Sequence, residues 1–354
     1  MRHTDESDPF EPGNSPSPFA GSTQGYDRGA SDTCVILQYS RVATLIHDPL
    51  QLSVQPYHFE QQMEYLAENY NVLSADGLAH RLTRGKAFPR RSVVLMFDGG
   101  YTDLLYTVQG VLDRLSLPAM AFVPTAHLLE RRPRWYDELE DLLITHRTSG
   151  ECGLVIDDEV LRLSLHNRYE RFAAYDRLVS LLSRRTPVQQ QEILDQIAEA
   201  LPSCEGETDN HAALGAQDLK RLDEGGCVCV EGSTHHHVDP DTLNPWEQSL
   251  EIGKNKEILE EVLGRRITSF SCPFWAAHDP SAASVDVLWK LGFSLGFYSN
   301  PGSMTLYTRS TQVTLPRVRV CDRSALALHQ QVAVAGRPSI RSGVQNEDQT
   351  AYCG

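Results

Sequence analysis

An apolar, largely β-branched run, Val93-Val94-Leu95-Met96-Phe97, ends in Asp98 and is followed at once by Gly99 and Gly100. A buried strand that delivers one carboxylate to its end, beside two residues without side chains, can present a catalytic acid or base to a closely approaching substrate. The same pattern also suits an Asp that opens a turn before a helix. A second group, Thr234-His235-His236-His237-Val238-Asp239-Pro240, carries donor types that hold zinc or another divalent metal. On a helical turn His235 and Asp239 share a face; on an extended segment His235 and His237 do. A solvated polar loop is the simpler use of three adjacent histidines. Pro273-Phe274-Trp275 and Tyr298-Ser299-Asn300 are two further polar or unusual stretches after apolar segments.

Each of these stretches needs a strand to carry it. Apolar runs predict strands at 34–39, 71–73, 92–97, 119–123, 227–230, 268–272, 294–298 and 313–320. Between them, helical spacing predicts helices at 53–69, 75–83, 102–115, 244–263 and 285–291. Ser74 suits an N-cap, Asn244-Pro245-Trp246-Glu247 a capped helix start, and Gly264 a stop. Strands alternating with helices imply a parallel sheet with helical crossovers, and a parallel barrel gathers its strand C-termini on one face. Residues 134–222 break the rhythm with mostly helical patterns, reading as an insertion packed beside the barrel. The expected organisation is a leader over 1–30, a barrel over 31–325 and a polar tail over 326–354.

The bulk composition restricts the partners. The chain has 354 residues and a formal net charge of −15, from 47 acidic and 32 basic residues. Such a balance argues against a nucleic-acid backbone or an anionic membrane as the main partner. No apolar stretch is long enough for a membrane-spanning helix, and residues 1–30 lack the apolar core of a signal peptide. Eight scattered cysteines without a C-x-x-C pair suggest reduced thiols and a cytoplasmic location.

The ordered motifs resemble those of the polysaccharide deacetylases, the NodB-homology carbohydrate esterases, in their cytoplasmic surface-polysaccharide-biosynthesis subgroup. The resemblance runs from Leu37-Gln38-Tyr39-Ser40-Arg41-Val42 through Met96–Asp103, Leu117–Thr125 and Trp135-Tyr136-Asp137-Glu138-Leu139-Glu140 to Leu315-Pro316-Arg317-Val318-Arg319-Val320. It implies an α/β fold, an irregular (β/α)7-type barrel. It also implies hydrolysis of an amide, an N-acetyl group on an amino sugar, by a water activated on a divalent metal with an Asp as general base.

Carried over by position, Asp98 falls on the base and Gly99 on the metal-binding Asp, which removes that ligand. The His motif aligns in two registers. From Gly232 its ligands fall on Thr234 and Val238; from Pro240 they fall on His235 and Asp239, the pair expected here to hold zinc or a similar metal with Asp98. His236 is a candidate acid–base group, and the backbone N–H of Phe274 a candidate oxyanion donor. Tyr101, Asp103, Pro273 and Trp275 are expected to line the pocket. The substrate is expected to be a saccharide or a small sugar-like or natural-product intermediate. Three readings follow: an amide hydrolase with a rearranged metal site, a non-catalytic homologue used for binding or assembly, and an enzyme of metal-free acid–base chemistry on the same scaffold.

Overall fold

The computed structural model describes residues 30–31, 33–130, 133–145, 150–201, 211–273, 279–298, 304–305 and 314–336. Its centre is a parallel, nearly closed barrel. The strands are β1 (Thr33–Tyr39), β2 (Ser92–Asp98), β3 (Ala119–Val123), then, past a hairpin β4 (Glu151–Ile156) and β5 (Glu159–Ser164), β6 (Val228–Gly232), β7 (Ser269–Ser271), β8 (Leu295–Tyr298), β9 (Leu315–Pro316) and β10 (Val318–Arg319). Neighbours run in parallel in the order β1-β2-β3-β6-β7-β8-β9. The last segment closes the ring: β9 pairs with β8, and β10 pairs with β1 through Val318–Leu37 and Arg319–Gln38.

Period-two alternation sorts these strands. Cys34, Ile36, Val94, Met96, Met120, Phe122, Leu295, Phe297 and Leu315 form one cluster inside the barrel. Their alternates, among them Leu37, Tyr39, Leu95, Phe97, Ala121 and Val230, pack outward against helices such as α1 (Pro56–Asn69), whose Phe59, Met63 and Leu66 join them. Continuing the inner rows by two residues gives Gln38 after Ile36 and Asp98 after Met96. The same alternation that fills the barrel therefore points polar side chains into its mouth.

Crossover helices are α2 (Ala75–Arg84), capped by Ser74 Oγ on the Gly77 N–H at 3.1 Å, and α3 (Gln109–Leu115). A π-turn at Leu104–Val108 precedes α3 where the sequence pattern predicts regular helix. The insertion holds α4 (Trp135–Glu140), α5 (Arg168–Leu182), α6 (Pro187–Ala200) and α7 (Ala216–Glu224). It is less purely helical than expected, because β4 and β5 form an antiparallel hairpin within it. Its apolar side chains make a separate cluster, which Tyr101 and Leu52 of the barrel join.

The remaining helices are α8 (Pro245–Leu263), α9 (Ala282–Lys290) and α10 (Ala325–Ala335). Asn244 caps α8 in a reciprocal box with Glu247, and Gly264 ends it at φ +68°. Leu328 and Val332 of α10 are buried in the main core, so the polar tail expected from 326 cannot begin before that helix ends. Cys34, Cys152, Cys227, Cys229 and Cys272 are free thiols, whereas Cys321 is disulfide-bonded and departs from the expectation of reduced cysteines. Among the described residues no helix is long and apolar enough to cross a membrane.

Asn255 on α8 ties two strand ends together, those of β3 and β6. Its fully buried amide donates to Val123 O at 2.9 Å and to Thr125 Oγ1 at 3.2 Å, and accepts from the Ser233 N–H at 3.0 Å. Asn255→Ala leaves a buried N–H and a buried carbonyl unpaired. It is expected to cost about 3 kcal/mol in urea denaturation, without a change in far-UV circular dichroism.

Candidate functional site

Asp98 sits at the barrel mouth with 2 % of its surface exposed. Its carboxylate is the hub of a network from four strands or strand ends. Gln38 Nε2 of β1 donates at 2.7 Å, Ser271 Oγ of β7 at 3.0 Å, and Arg317 Nη1, from the residue between β9 and β10, at 2.8 Å. Arg317 is fully buried and also donates to Ser271 Oγ and to Cys272 O. Burial pushes the Asp98 carboxyl above the ordinary aspartate value, while Arg317 and the donors from Ser271 and Gln38 oppose that shift.

Gly99 follows at φ +100° and Gly100 at φ +66°, backbone that side chains rarely adopt. A Cβ on Gly99 would lie 2.8 Å from Cε2 of Tyr101, and one on Gly100 would lie 2.7 Å from Cγ1 of Val123. The Tyr101 ring is held in place from several directions. The guanidinium carbons of Arg134 and Arg41 lie 3.7 Å and 4.2 Å from its centroid, and its hydroxyl donates to Asp137 Oδ1 at 2.9 Å. Arg134 Nε donates to Gly99 O at 2.7 Å, and its Nη1 pairs with Asp137 at 3.0 Å. Asp103 accepts from the Val42 N–H at 2.9 Å and pairs with Arg41 at 3.3 Å. Tyr101 and Asp103, expected to line the pocket, instead brace the loop from inside, at 1 % and 9 % exposure.

The histidines separate. His235 Nδ1 lies 2.8 Å from Thr125 Oγ1, and its carbonyl accepts from the N–H groups of Thr125 and Ala126. Burial, then His236, Lys254 and His127, hold its imidazole down to about 3. His236 sits on Glu251, with Nδ1 3.0 Å from Oε2. Only His237 turns toward the arginines. Its Nδ1 lies 3.1 Å from Tyr136 Oη, and burial with Arg134 and Arg317 keeps it well below the usual imidazole value. His237 also occupies the left-handed region at φ +58°, the kind of outlier that clusters at functional sites. Asp239 caps a 3₁₀ turn at Pro240–Thr242, accepting from the Asp241 N–H at 3.0 Å. Pro273 is buried beyond β7; Phe274 and Trp275 lie outside the described residues.

The expected metal set of Asp98, His235 and Asp239 is therefore not assembled. Among the described residues no group of three or more His, Cys, Asp or Glu side chains is arranged to hold a metal ion. The donor chemistry agrees with this. Asp98 is occupied by Arg317, Ser271 and Gln38, His235 contacts Thr125, and the position that would supply a further carboxylate is a glycine overlain by the Tyr101 ring. The divalent metal that the sequence resemblance implies does not fit these residues. Arg317, Ser271, Gln38, Arg134 and Arg41 carry no site role in the sequence reading. Only the inner-row spacing of Gln38 and the Arg317 within Leu315-Pro316-Arg317 hint at them.

The return segment of the insertion completes the loop. Ala212 O accepts from the Thr102 N–H, and the Leu214 N–H donates to Gly100 O, both at 3.0 Å. His211 anchors this segment among carboxylates, with Nδ1 3.3 Å from Asp137 and Nε2 3.6 Å from Asp141 and 3.9 Å from Glu140.

Two outcomes follow for stability. Arg317→Met leaves a buried carboxylate without its cation. It should cost about 3–5 kcal/mol at pH 7, and less at acid pH where Asp98 takes up a proton, in urea denaturation at the two pH values. Glu140 is pushed up to about 8 by burial, then by Asp137, Asp48 and Asp141. A carboxyl raised in the folded state stabilises below its unfolded value of 4.5 and loses that contribution as pH rises toward 8. Glu140→Gln should flatten the decline in thermal midpoint across that window and gain over the parent at its alkaline end.

Comparison with known proteins agrees with this architecture. Residues 189–295 match the family model for polysaccharide deacetylase, a span that contains the histidine turn but not Asp98. No curated protein matches in sequence. The fold is similar to that of the Streptococcus pyogenes deacetylase PplD in complex with acetate, at TM-score 0.56 and 15 % identity, over 88 % of this chain and 100 % of that one. It is also similar to IcaB from Ammonifex degensii, at 0.53 and 15 %, over 87 % and 99 %. The deacetylase domain of BpsB from Bordetella bronchiseptica gives 0.51 and 15 %, over 84 % and 98 %. The chain thus shares a deacetylase-like segment at residues 189–295 and, over most of its length, the fold of these solved deacetylases.

Proposed function

We propose that this chain is a saccharide-recognising member of the polysaccharide deacetylase family in which metal-dependent deacetylation has been given up. The match of residues 189–295 to the deacetylase model and the shared fold support a deacetylase-type scaffold. The observation that carries the reading is the Gly99 position. A metal-binding aspartate there would need backbone at φ +100° and the space of the Tyr101 ring, while Arg134 donates to the same residue's carbonyl. A guanidinium supplies a fixed positive charge beside the loop, and it offers no open coordination position to a water or an amide oxygen. The barrel mouth keeps polar groups suited to hydroxyl recognition, and the family's substrates make a saccharide the natural ligand class.

The test is metal analysis of the untagged protein, joined to an assay of acetate release from N-acetylglucosamine oligomers with and without added zinc, nickel or cobalt. The expected result is no stoichiometric metal and no acetate. Metal binding with acetate release would overturn the proposal. Release that survives chelation and disappears in Asp98→Asn would replace it with metal-free acid–base chemistry. Gly99→Asp should neither bind metal nor gain activity. It should lower the urea midpoint, because the left-handed backbone alone costs about 1 kcal/mol or more before the ring is displaced.

A further inference from the structure

The return segment of the insertion lies along the turn that follows Asp98 as a short antiparallel ladder. The Thr102 N–H donates to Ala212 O, the Leu214 N–H donates to Gly100 O, and Tyr101 pairs with Ala213 between them. Two hydrogen bonds do not hold such a ladder by themselves, so its anchors decide whether it stays closed. One anchor is the start of α7, where the Gly215 N–H donates to Asp218 Oδ2 at 3.1 Å. The other is His211, buried against the acidic end of α4. Its Nδ1 lies 3.3 Å from Asp137, and its Nε2 lies 3.6 Å from Asp141 and 3.9 Å from Glu140.

The charges around this anchor do not balance. Arg134 pairs with Asp137 at 3.0 Å, and Arg41 with Asp103 at 3.3 Å. Arg41 also acts on Glu140, but its guanidinium is engaged by Asp103. Asp48, from the segment after β1, adds a further negative charge facing Glu140, and Tyr175 faces the same group from α5. Glu140 is 8 % exposed and, among the described residues, meets one basic group within 4 Å, the His211 imidazole. Three carboxylates thus converge on one imidazole in a largely buried place.

Such crowding is relieved in two ways: a carboxyl keeps its proton, or the segment moves off and admits water. Burial, then Asp137, Asp48 and Asp141, push Glu140 up to about 8. Asp141 is raised too, by burial against the opposing pull of His211. Detachment of the segment hydrates Glu140 and returns it to the ordinary value of 4.5. The open form therefore gains on the closed one as pH rises from there toward 8.

We propose that His211 and the carboxylates around it form a pH-operated latch, in which rising pH detaches the 211–214 segment from the Gly100–Thr102 turn. The change is local. Asp98 stays tied to Arg317, Ser271 and Gln38, so the barrel persists while its rim loosens. The latch works whatever the barrel mouth binds.

Hydrogen exchange at the Thr102 and Leu214 amides reads the latch directly, because these two N–H groups make its bonds. Corrected for intrinsic rates, their protection should fall at least about tenfold between about pH 5 and about pH 8, while that of the β2 amides stays constant. Glu140→Gln should abolish the fall. Asp141→Asn, which removes one of the like charges, should reduce it, and decides the matter if the first variant does not fold. Protection of the two amides that is constant with pH, that falls in step with β2, or that falls by the parent's factor in the folded variants overturns the latch.

Discussion

The ion pair between Asp98 and Arg317 is the contact on which the barrel and its mouth both depend. Arg317 lies between the two short strands that complete the ring, one paired to β8 and the other to β1. Its side chain reaches inward to the carboxylate at the end of β2, and to Ser271 and Cys272 at the end of β7. A buried carboxylate is costly without compensation, and a buried guanidinium equally so. Placed together with two further donors they become a cross-brace, fixing four strand ends at one height.

The same logic repeats around the loop that follows. Asp103 is balanced by Arg41 and Asp137 by Arg134, and Tyr101 contacts both of these arginines through its ring. Three buried acids thus meet three buried bases, one for one. A metal centre would need carboxylates and imidazoles free to converge on a single point. Here the acids are each committed to an arginine, and the three histidines turn to Thr125, Glu251 and Tyr136. The mouth keeps its charge but distributes it as pairs.

Much of the scaffold was legible in the residue pattern because alternation and capping are local. The run ending at Asp98, the Ser74 and Asn244 caps and the Gly264 stop all depend on neighbours a few positions away. The site was legible only in part. Asp98 could be picked out, but its partners Arg317 and Ser271 lie 219 and 173 positions along the chain. The direction each histidine takes depends on the left-handed backbone at His237 and on the hydrogen bonds of His235 to the end of β3, neither of which spacing encodes. Arg134 precedes the motif Trp135–Glu140 and looks like an ordinary surface cation until the fold lays it over Gly99. The hairpin at 151–164 escaped because its strands lie in a segment dominated by helical periodicity.

Closure of the ring by β10 against β1 has a consequence for how the molecule comes into being. The pairing of Val318 with Leu37 joins positions separated by almost the entire described chain. Contacts of such separation carry a large loop-closure entropy and are rewarded only when the intervening strands are already in order. During synthesis the acid of the Asp98–Arg317 pair emerges long before its base. Until the closing strands arrive, the open sheet exposes an unpaired edge at β1 and a carboxylate still in water, so the polar centre of the barrel is sealed late in synthesis.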